Sequence, residues 1–397
     1  MSKQVNADKG YLLWSGAPFG RETFLRFRAV PTGGNFWIEG MVRGILDTGT
    51  PLRVTGHLAE PLFPRGRLVM NPNLARLPEG VQGELVQAYL NVPYIRPAHL
   101  AWNYRRKLRD MVRTHGKPRA VITYNPDPWH CALGEESQLL GIPWVSFVAD
   151  MNDPGLAWNH FPPRAAQADA HVFLSWHTFH SFPFSNVKLH LDGGVRDIYY
   201  KEPGRLRTRE SSAKTVVLFA GSFSKWAGLG WLLEAFQRLP DRRLELWVCG
   251  KGDTRELEAA MARDSRIKHL GLKTREELHD IYLQADVLTN PRPYSLPENA
   301  HNFPCKLLDS LAYCRPVVST LTAGVSPEYR DLVVPVEEES PDALAAALDV
   351  AVRMPADVRE ELSGRIASFL SSGKTWQRQG DRLVAWLDRL NATASAR

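Results

Sequence analysis

Short apolar segments alternate with amphipathic segments throughout residues 216–336, and this alternation constrains the fold more than any other feature of the chain. Residues 216–220, 244–249 and Val287–Asn290 have the length and apolar character of buried strands. The segment Arg275–Gln284 has helical spacing of its apolar residues and follows a capping box that begins at Thr274. Buried strands joined by helices form a parallel, doubly wound sheet. Further strands of this sheet are predicted at residues 267–270, 316–320 and 332–336.

The first half of the chain shows the same alternation less regularly. Strands are predicted at residues 11–15, 52–55, 120–124, 144–148, 171–174 and 187–191, and helices at residues 36–47, 98–115 and 128–140. The polar, glycine-bearing segment 193–214 is typical of an interdomain linker. A chain of 397 residues is long enough for two domains, so the sequence predicts two α/β domains.

Composition narrows the class of protein. The chain is 44% hydrophobic and 23% charged, as is typical of soluble globular proteins. It has no apolar run of 18 residues, and its first residues lack the apolar core of a signal peptide, so a cytoplasmic location is expected. The spacing of Cys131, Cys249, Cys305 and Cys314 indicates reduced thiols and not a disulfide framework or a zinc site.

Residues 301–320 carry the pattern that is most informative about a ligand. A polar loop runs into a short helix that is predicted to begin at Pro304, because proline suits the first helical position. The unpaired N–H groups of such a first turn form an anion site. Cys305 and Asp309 are four residues apart and share a helix face, with His301 leading into it. A phosphate site with a carboxylate about one turn below it suits a nucleotide diphosphate and its ribose.

The same segment resembles the sugar-nucleotide signature of retaining GT-B glycosyltransferases, in the large family marked by Glu-x7-Glu. His301 stands at the first glutamate position, Asp309 stands at the second, and Cys314 replaces the usual glycine. The residues in register with the family's motif are Phe303, Leu308, Leu311, Ala312, Pro316, Val317 and Val318.

The resemblance implies a fold class and an activity. The fold would be α/β of the GT-B type, with two doubly wound Rossmann-like domains facing across a cleft. Residues 1–200 would bind the acceptor, residues 201–374 would bind the nucleotide sugar, and residues 375–397 would form a helix crossing back to the first domain. The activity would be that of a metal-independent hexosyltransferase. It would move a sugar from a nucleotide diphosphate sugar to a hydroxyl of a polysaccharide or lipid-linked oligosaccharide, with retention and without a cofactor.

The resemblance also implies a donor site. Lys225 would stabilise the leaving diphosphate, because negative charge develops there and no metal is expected. His301 would face the donor sugar, and Asp309 would hold the ribose hydroxyls. The other residues expected to contact the donor are Gly33, Gly34, Gly221, Ser222, Lys251, Leu272, Asn302, Phe303, Pro304, Cys305 and Lys306.

Three polar residues follow predicted strands of the first half and are candidates to contact the acceptor. His130, Asp150 and Asp153 would orient the acceptor hydroxyl, and Asp150 is a candidate to accept its proton. A structural role as a cap or turn residue is the alternative for each of them. Asp150 and Asp153 also form an acidic cluster, but no complete metal-ligand set appears with them, so no metal site is predicted.

Residues 96–119 form a basic stretch with eight Lys or Arg residues and one acidic residue, Asp110. Aromatic and apolar residues are interleaved, as on helices that lie on anionic membranes. A nucleic-acid groove has the same composition, and so does a solvated helix face above a core stripe. With a lipid-linked acceptor, the expected partner is an anionic membrane surface and not a nucleic acid, which would place the protein at the inner face of the membrane.

Two other functions remain open at this point. A sugar-nucleotide 2-epimerase shares the fold but needs carboxylates at the sugar, which His301 and Asp309 do not obviously supply. A non-catalytic partner subunit would explain the histidine at the first glutamate position.

Overall fold

The computed structural model describes residues 10–20, 22–23, 32–149, 162–185, 187–200 and 214–395. The chain divides into two compact units. Unit 1 comprises Met1–Leu174, Phe179–Arg196 and Lys374–Arg397. Unit 2 comprises Ser175–Thr178 and Asp197–Gly373.

Unit 1 is an α/β unit built on a parallel sheet. Its strands are β1 (Leu12–Ser15), β2 (Leu52–Gly56), β3 (Val69–Met70), β4 (Gly83–Leu85), β5 (Tyr89–Leu90), β6 (Ala120–Tyr124), β7 (Trp144–Val148), β8 (Ala170–Phe173) and β9 (Lys188–His190). Its helices are α1 (Thr32–Asp47), α2 (Ile95–His115), α3 (Pro128–Leu139) and α12 (Trp376–Ser395), and the short helix α4 (Trp176–Ser181) begins in unit 2.

The sheet of unit 1 has the strand order β4-β2-β1-β6-β7-β8-β9, and its described pairs are all parallel. Strands β3 and β5 form a separate antiparallel pair. β1 and β7 are buried along their whole length, as expected for strands covered by helices on both faces. The strand order reverses between β1 and β6, which defines the topological switch point of unit 1.

Unit 2 repeats the same architecture. Its strands are β10 (Thr215–Phe223), β11 (Leu244–Gly252), β12 (Ile267–Gly271), β13 (Val287–Asn290), β14 (Val317–Ser319) and β15 (Val334–Pro335). Its helices are α5 (Leu229–Gln237), α6 (Arg255–Arg263), α7 (Arg275–Gln284), α8 (Glu298–His301), α9 (Cys305–Leu311), α10 (Pro341–Val352) and α11 (Ala356–Gly373).

The sheet of unit 2 is parallel, with the order β12-β11-β10-β13-β14-β15. This is the Rossmann order, and it reverses between β10 and β13. The predicted capping box is present, because Thr274 accepts from the N–H of Glu277, whose side chain accepts from the N–H of Thr274. The prediction of two Rossmann-like α/β domains is therefore confirmed.

Two strands of unit 2 are longer than predicted. β10 and β11 each extend three residues further and pair in register as far as Phe223 and Gly252. Gly250 has a φ of +148°, and a Cβ there would lie 1.7 Å from the carbonyl oxygen of Gly221. The close approach requires glycine. Gly221 and Lys251, which follow the predicted strands, therefore belong to the strands themselves.

The helix predicted over residues 36–47 begins earlier than expected. Helix α1 begins at Thr32, so Gly33 and Gly34, which were expected before the helix, lie in its first turn. Pro31 lies outside the described residues.

Helix α12 packs closely on α1 through small residues. A Cβ at Gly40 would lie 2.2 Å from the indole of Trp376, and a Cβ at Gly44 would lie 2.1 Å from the carbonyl oxygen of Trp376. On the other helix, a Cβ at Gly380 would lie 2.2 Å from the carbonyl oxygen of Gly44. The backbones of the two helices can approach this closely only because these positions are glycine.

The predicted linker is partly packed. Val195 forms a bridge with Thr375 in unit 1. In unit 2, the N–H of Tyr199 donates to the carbonyl of Ala312, and its ring stacks on Tyr313 at 4.7 Å. Residues 201–213 lie outside the described part of the chain.

The basic stretch is tied to its neighbours by ion pairs. Cations of α2 pair with carboxylates outside the helix, namely Arg105 with Glu135, Lys107 with Glu84, and Arg109 with Glu136. Arg109 donates to both oxygens of Glu136, at 2.7 and 3.0 Å, and Glu136 is buried. These charges therefore hold α2 against α3 and β4. Membrane contact through residues 96–119 stays a prediction.

Candidate functional site

The predicted donor residues of unit 2 lie on the segments that leave the carboxyl ends of its parallel strands. In doubly wound sheets, ligands bind at this edge, next to the point where the strand order reverses. That point lies between β10 and β13, so the segments following these two strands are the centre of the candidate site.

The ends of β10 and β11 bring two predicted donor residues together. Ser222 and Lys251 are register partners in the parallel pair, and both are exposed. The hydroxyl of Ser222 lies 2.8 Å from that of Ser224. The strand ends therefore present a hydroxyl pair beside a lysine.

The turn after β10 is fastened to the segment after β13. Asn299 is buried, and its Nδ2 donates to the carbonyl of Trp226 at 3.2 Å. Gly228 has a φ of +77°, and a Cβ there would lie 1.7 Å from the carbonyl oxygen of Pro291. The two segments at the switch point therefore form one packed unit.

Lys225 lies in this turn with 65% of its side chain exposed, and its Nζ is 4.0 Å from Glu298 Oε1. An exposed pair at this distance contributes little to stability, about 0–1 kcal/mol. The ammonium group is therefore available to a more highly charged anion, such as a diphosphate.

His301 is the last residue of α8 and is half-buried. Its Nδ1 lies 3.2 Å from the hydroxyl of Thr178, and its ring is 4.9 Å from that of His177 in an edge-to-face arrangement. Burial lowers the pKa of His301, and the neighbouring His177 lowers it further. The imidazole is therefore neutral near pH 7, with Thr178 fixing the ring.

The helix tip differs from the predicted anion site. Helix α9 begins at Cys305, with Pro304 as the capping residue and not the first helical one. The N–H of Cys305 donates to the carbonyl of Phe303 at 3.0 Å, and the N–H of Leu307 donates to that of Pro304 at 2.7 Å. Two of the N–H groups that were predicted to be free for an anion therefore donate to carbonyls of the protein itself.

The residues just before α9 are largely interior. Phe303 is buried, with its ring centroid 5.7 Å from that of Tyr329, and Pro304 is buried as well. Asn302, which follows α8, and Cys305 are half-buried. A ligand at this edge would meet the backbone of Phe303 and Pro304 and not their side chains.

Asp309 and Lys306 lie on the exposed face of α9. Lys306 Nζ donates to Asp309 Oδ2 at 3.1 Å, and Asp309 raises the pKa of Lys306. Leu272 follows β12 directly and is 70% exposed. Asp309 and Leu272, which were predicted to contact the ribose and the base, are thus accessible to solvent.

The predicted acceptor residues are only partly described. Asp150 and Asp153 lie outside the described residues. His130 is buried in unit 1, with Nδ1 3.1 Å from the carbonyl oxygen of Asn125 and its ring 5.5 Å from that of Tyr104. Burial lowers the pKa of His130, so its imidazole is neutral.

Several residues of the candidate site were not predicted. Glu298 and Asn299 stand in the same polar loop as His301, and their position after a predicted strand could have drawn attention to them. His177 and Thr178 precede His301 by more than a hundred residues, and their sequence gives no signal for this contact.

The described residues contain neither a cluster suited to a metal ion nor a helix suited to spanning a membrane. No group of three or more His, Cys, Asp or Glu side chains there is arranged to hold a metal ion. No helix among them is long and apolar enough to cross a bilayer.

The comparisons with known proteins agree with this architecture. Residues 214–353 match the model of a family described as glycosyl transferases group 1. A search of curated proteins found no match. The matched residues include all six strands described above for the sheet of unit 2 and the segments that carry Lys225, His301 and Asp309.

Solved structures extend the similarity to both units. The chain is similar to sucrose-phosphate synthase from Thermosynechococcus elongatus, with a TM-score of 0.69 at 14% identity, over 97% of this chain and 100% of that one. It is equally similar to a UDP-forming trehalose-phosphate synthase from Burkholderia xenovorans, with a TM-score of 0.69 at 13% identity, over 96% and 99% of the two chains. The chain has the GT-B fold.

A third GT-B structure was solved with a nucleotide. HepE from Anabaena, in complex with UDP, has a TM-score of 0.66 at 12% identity, over 96% of this chain and 100% of that one. At identities of 12–14%, similarity to these structures establishes the fold of this chain alone.

Proposed function

We propose that this protein is a retaining, metal-independent glycosyltransferase that moves a sugar from a nucleotide diphosphate sugar to a hydroxyl of a polysaccharide or lipid-linked oligosaccharide. The observation that carries the proposal is the family match over residues 214–353. That region has the Rossmann strand order and carries exposed cations beside its switch point. The similar fold of a UDP complex supports a nucleotide diphosphate as the leaving group.

In this proposal, the cations near the switch point stabilise the departing diphosphate. Lys225 and Lys251 supply positive charge on two neighbouring segments, and Ser222 adds a hydroxyl donor. Such groups favour bond cleavage because charge accumulates on the leaving oxygen in the transition state. Asp309 accepts hydrogen bonds from the ribose, and Leu272 flanks the nucleobase.

The donor sugar faces His301 in this proposal. His301 would face the sugar as a neutral imidazole, with its Nδ1 next to the hydroxyl of Thr178. The family's glutamate would accept hydrogen bonds there, whereas a histidine can accept or donate one, so this position influences which sugar is bound. Asp150 takes the proton of the acceptor hydroxyl, with His130 and Asp153 on the acceptor side.

We expect the protein to release nucleoside diphosphate from its donor only when an acceptor is present. Candidate nucleotide sugars are first screened by thermal shift, and the best donor is then incubated with and without oligosaccharide acceptors, with and without EDTA. Turnover should persist in EDTA, because lysines replace a metal at the diphosphate.

Other outcomes of this assay contradict the proposal in different ways. Conversion of the donor without an acceptor would indicate an epimerase. Donor binding without turnover, for every donor and acceptor tested, would indicate a partner subunit. Loss of turnover in EDTA with rescue by magnesium or manganese would overturn the metal-independent mechanism alone.

The Asp309→Ala variant should bind nucleoside diphosphate at least about tenfold more weakly, because one charge-assisted hydrogen bond to a ribose hydroxyl contributes about 1.5–3 kcal/mol. Its melting temperature should change little, since the exposed pair with Lys306 contributes only about 0.2–0.5 kcal/mol. Calorimetric titration with the diphosphate measures the affinity.

Asp349→Ala is the matched control for this variant. It removes a similar exposed helical pair, with Arg353, from α10 of the same unit. Equal affinities of the two variants would show that Asp309 does not contact the nucleotide.

A further inference from the structure

An exposed apolar patch lies on unit 1. It is formed by the antiparallel β3–β5 pair, which we call the hairpin although β4 lies between the two strands in the chain, by the segment before β3 and by the first turns of α2. Its members are large apolar or aromatic side chains that are more than a third exposed: Phe63, Leu68, Val69, Leu90, Tyr94, Ile95 and Trp102. We call these seven residues the hairpin patch.

Backbone and ring contacts make the patch continuous. Val69 and Leu90 are register partners in the hairpin. Asn91 links the neighbouring segments, because its carbonyl accepts from the N–H of Phe63 at 3.0 Å and its N–H donates to the carbonyl of Leu68 at 2.8 Å. The patch therefore spans the hairpin and the segment before it as one surface.

A second set of contacts joins the hairpin to α2. The N–H of Leu90 donates to His99 Nδ1 at 3.2 Å, and the His99 ring lies 6.1 Å from that of Trp102. Trp102 is thereby placed next to the hairpin, although it lies two turns into the helix.

Tyr94 is the most unusual member of the patch. Its side chain is 95% exposed, and its φ is +62°, in the left-handed region that is unfavourable for a bulky residue. The exposed ring gains nothing from packing within the chain. Unfavourable backbone conformations of this kind cluster at ligand-contacting sites, so Tyr94 is a candidate contact residue.

Most charged side chains around the patch are cationic. Residues 61–76 and 88–107 contain no Asp or Glu, and the carboxylates that flank these ranges include Glu60, 3.8 Å from Arg67 Nη1, and Asp110, 3.9 Å from Arg106 Nε. Among their cations, Arg65 and Arg67 lie between Phe63 and Leu68 and are exposed. The guanidinium of Arg106 lies over the Trp102 ring at 5.4 Å from its centroid. The apolar surface is therefore rimmed by arginines.

We propose that the hairpin patch inserts into the surface of a lipid bilayer that contains anionic headgroups. Tyrosine and tryptophan favour the interface between headgroups and acyl chains, and arginines beside them attract lipid phosphates. This contact surface differs from the basic face of α2, which carries Arg105, Lys107 and Arg109, because it exposes large aromatic and aliphatic side chains. The proposal is independent of the proposed transferase activity.

The test is co-sedimentation of the full chain with vesicles of phosphatidylcholine alone, or with about a third phosphatidylglycerol, at low and high salt. The wild type should pellet with the anionic vesicles at low salt and be partly released at high salt. The Tyr94→Ser/Trp102→Ser variant should bind at least about tenfold more weakly. It should keep its melting temperature, because both side chains are exposed.

Two further variants separate the components of binding. Leu139→Ser removes an apolar side chain that is 81% exposed on α3 of the same unit, and its binding should equal that of the wild type. Arg65→Gln/Arg67→Gln should bind more weakly and lose most of the salt dependence. These results together would support insertion of the patch with an electrostatic rim.

Three results would overturn the proposal. The wild type could stay in the supernatant with anionic vesicles at low salt. The Tyr94→Ser/Trp102→Ser variant could bind as tightly as the wild type. Sedimentation velocity without lipid could show a wild-type dimer that this variant converts to a monomer, which would assign the patch to a second copy of the chain.

Discussion

Replacing Lys374 with methionine is expected to destabilise unit 1 by about 3–5 kcal/mol, because it leaves a buried carboxylate without its counter-charge. Lys374 Nζ donates to both oxygens of Asp192 at 2.8 Å. The two side chains are 4% and 0% exposed. Solvent therefore cannot replace the lost ammonium group. Denaturant unfolding followed by tryptophan fluorescence measures the loss.

A second substitution and a matched control sharpen this test. Lys374→Met/Asp192→Leu removes both charges and should recover most of the lost stability, because no unpaired buried charge remains. Lys306→Met removes one partner of the exposed pair with Asp309 and should change stability by less than about 1 kcal/mol. If Lys374→Met were as mild as Lys306→Met, the buried pair would not be an important contact in solution.

Lowering the pH from 7 to 5 is expected to destabilise unit 1 by about 4 kcal/mol through two histidines, each contributing about 2 kcal/mol. Burial, together with the neighbouring His130 and Arg96, lowers the pKa of His57 to about 3, and burial lowers the pKa of His171 to about 4. Both stay neutral in the folded protein, whereas an unfolded histidine takes up a proton near pH 6.5. Stability is therefore complete above pH 6.5 and is lost as the pH falls towards 4.

Their surroundings explain why these histidines resist protonation. His57 Nδ1 lies 2.9 Å from the hydroxyl of Tyr104. The His171 ring lies 4.5 Å from that of Phe182, and its Nε2 is 3.0 Å from the carbonyl oxygen of Ala165. Burial outweighs the groups that favour the charged form, which for His171 are the Ala165 carbonyl and the Asp169 carboxylate.

Denaturant midpoints at pH 7, 6 and 5 measure this effect. Carboxyl groups contribute little in that range, because their pKa values lie near or below 4.5. The His171→Phe variant should be less stable at pH 7, since it loses the Ala165 contact, but should lose about half of the pH dependence. An unchanged midpoint in the wild type between pH 7 and 5 would contradict the inferred neutrality of both rings.

The parts of the fold that were predicted correctly have local signals. Strand β13 has the predicted bounds because it is a short apolar run ending at a polar residue, Asn290. Helix α7 has the predicted bounds because its capping box is contained within four residues. Helix α10 was not predicted, although Ser340 caps it and Pro341 occupies its first position, which is a recognisable start signal.

The parts that were missed depend on contacts between distant segments. The ends of β10 and β11 keep the strand conformation because they pair with each other. Gly250 and Gly252 allow the two backbones to approach closely. The packing of α12 on Gly40 and Gly44 likewise joins the two extremes of the described chain. The sequence of one segment alone does not reveal that it pairs or packs with the other.

The candidate site shows the same division. His301, Lys225 and Asp309 stand in motifs that are contiguous in the sequence, so they could be named in advance. Thr178, which fixes the ring of His301, comes from a distant segment. The capping role of Pro304 depends on where helix α9 begins, and a helix boundary is uncertain by one or two residues in any sequence-based prediction.

The assignment of Lys374–Arg397 to unit 1 has a consequence for how the protein is made. A ribosome adds about 5–20 residues per second, so α1 emerges on the order of tens of seconds before the helix α12 that covers it. During that interval Gly40 and Gly44 lack the helix that packs on them, and Asp192 lacks Lys374. Residues 197–373 emerge completely before α12 does. The unit whose synthesis starts first is therefore the last to complete its native structure.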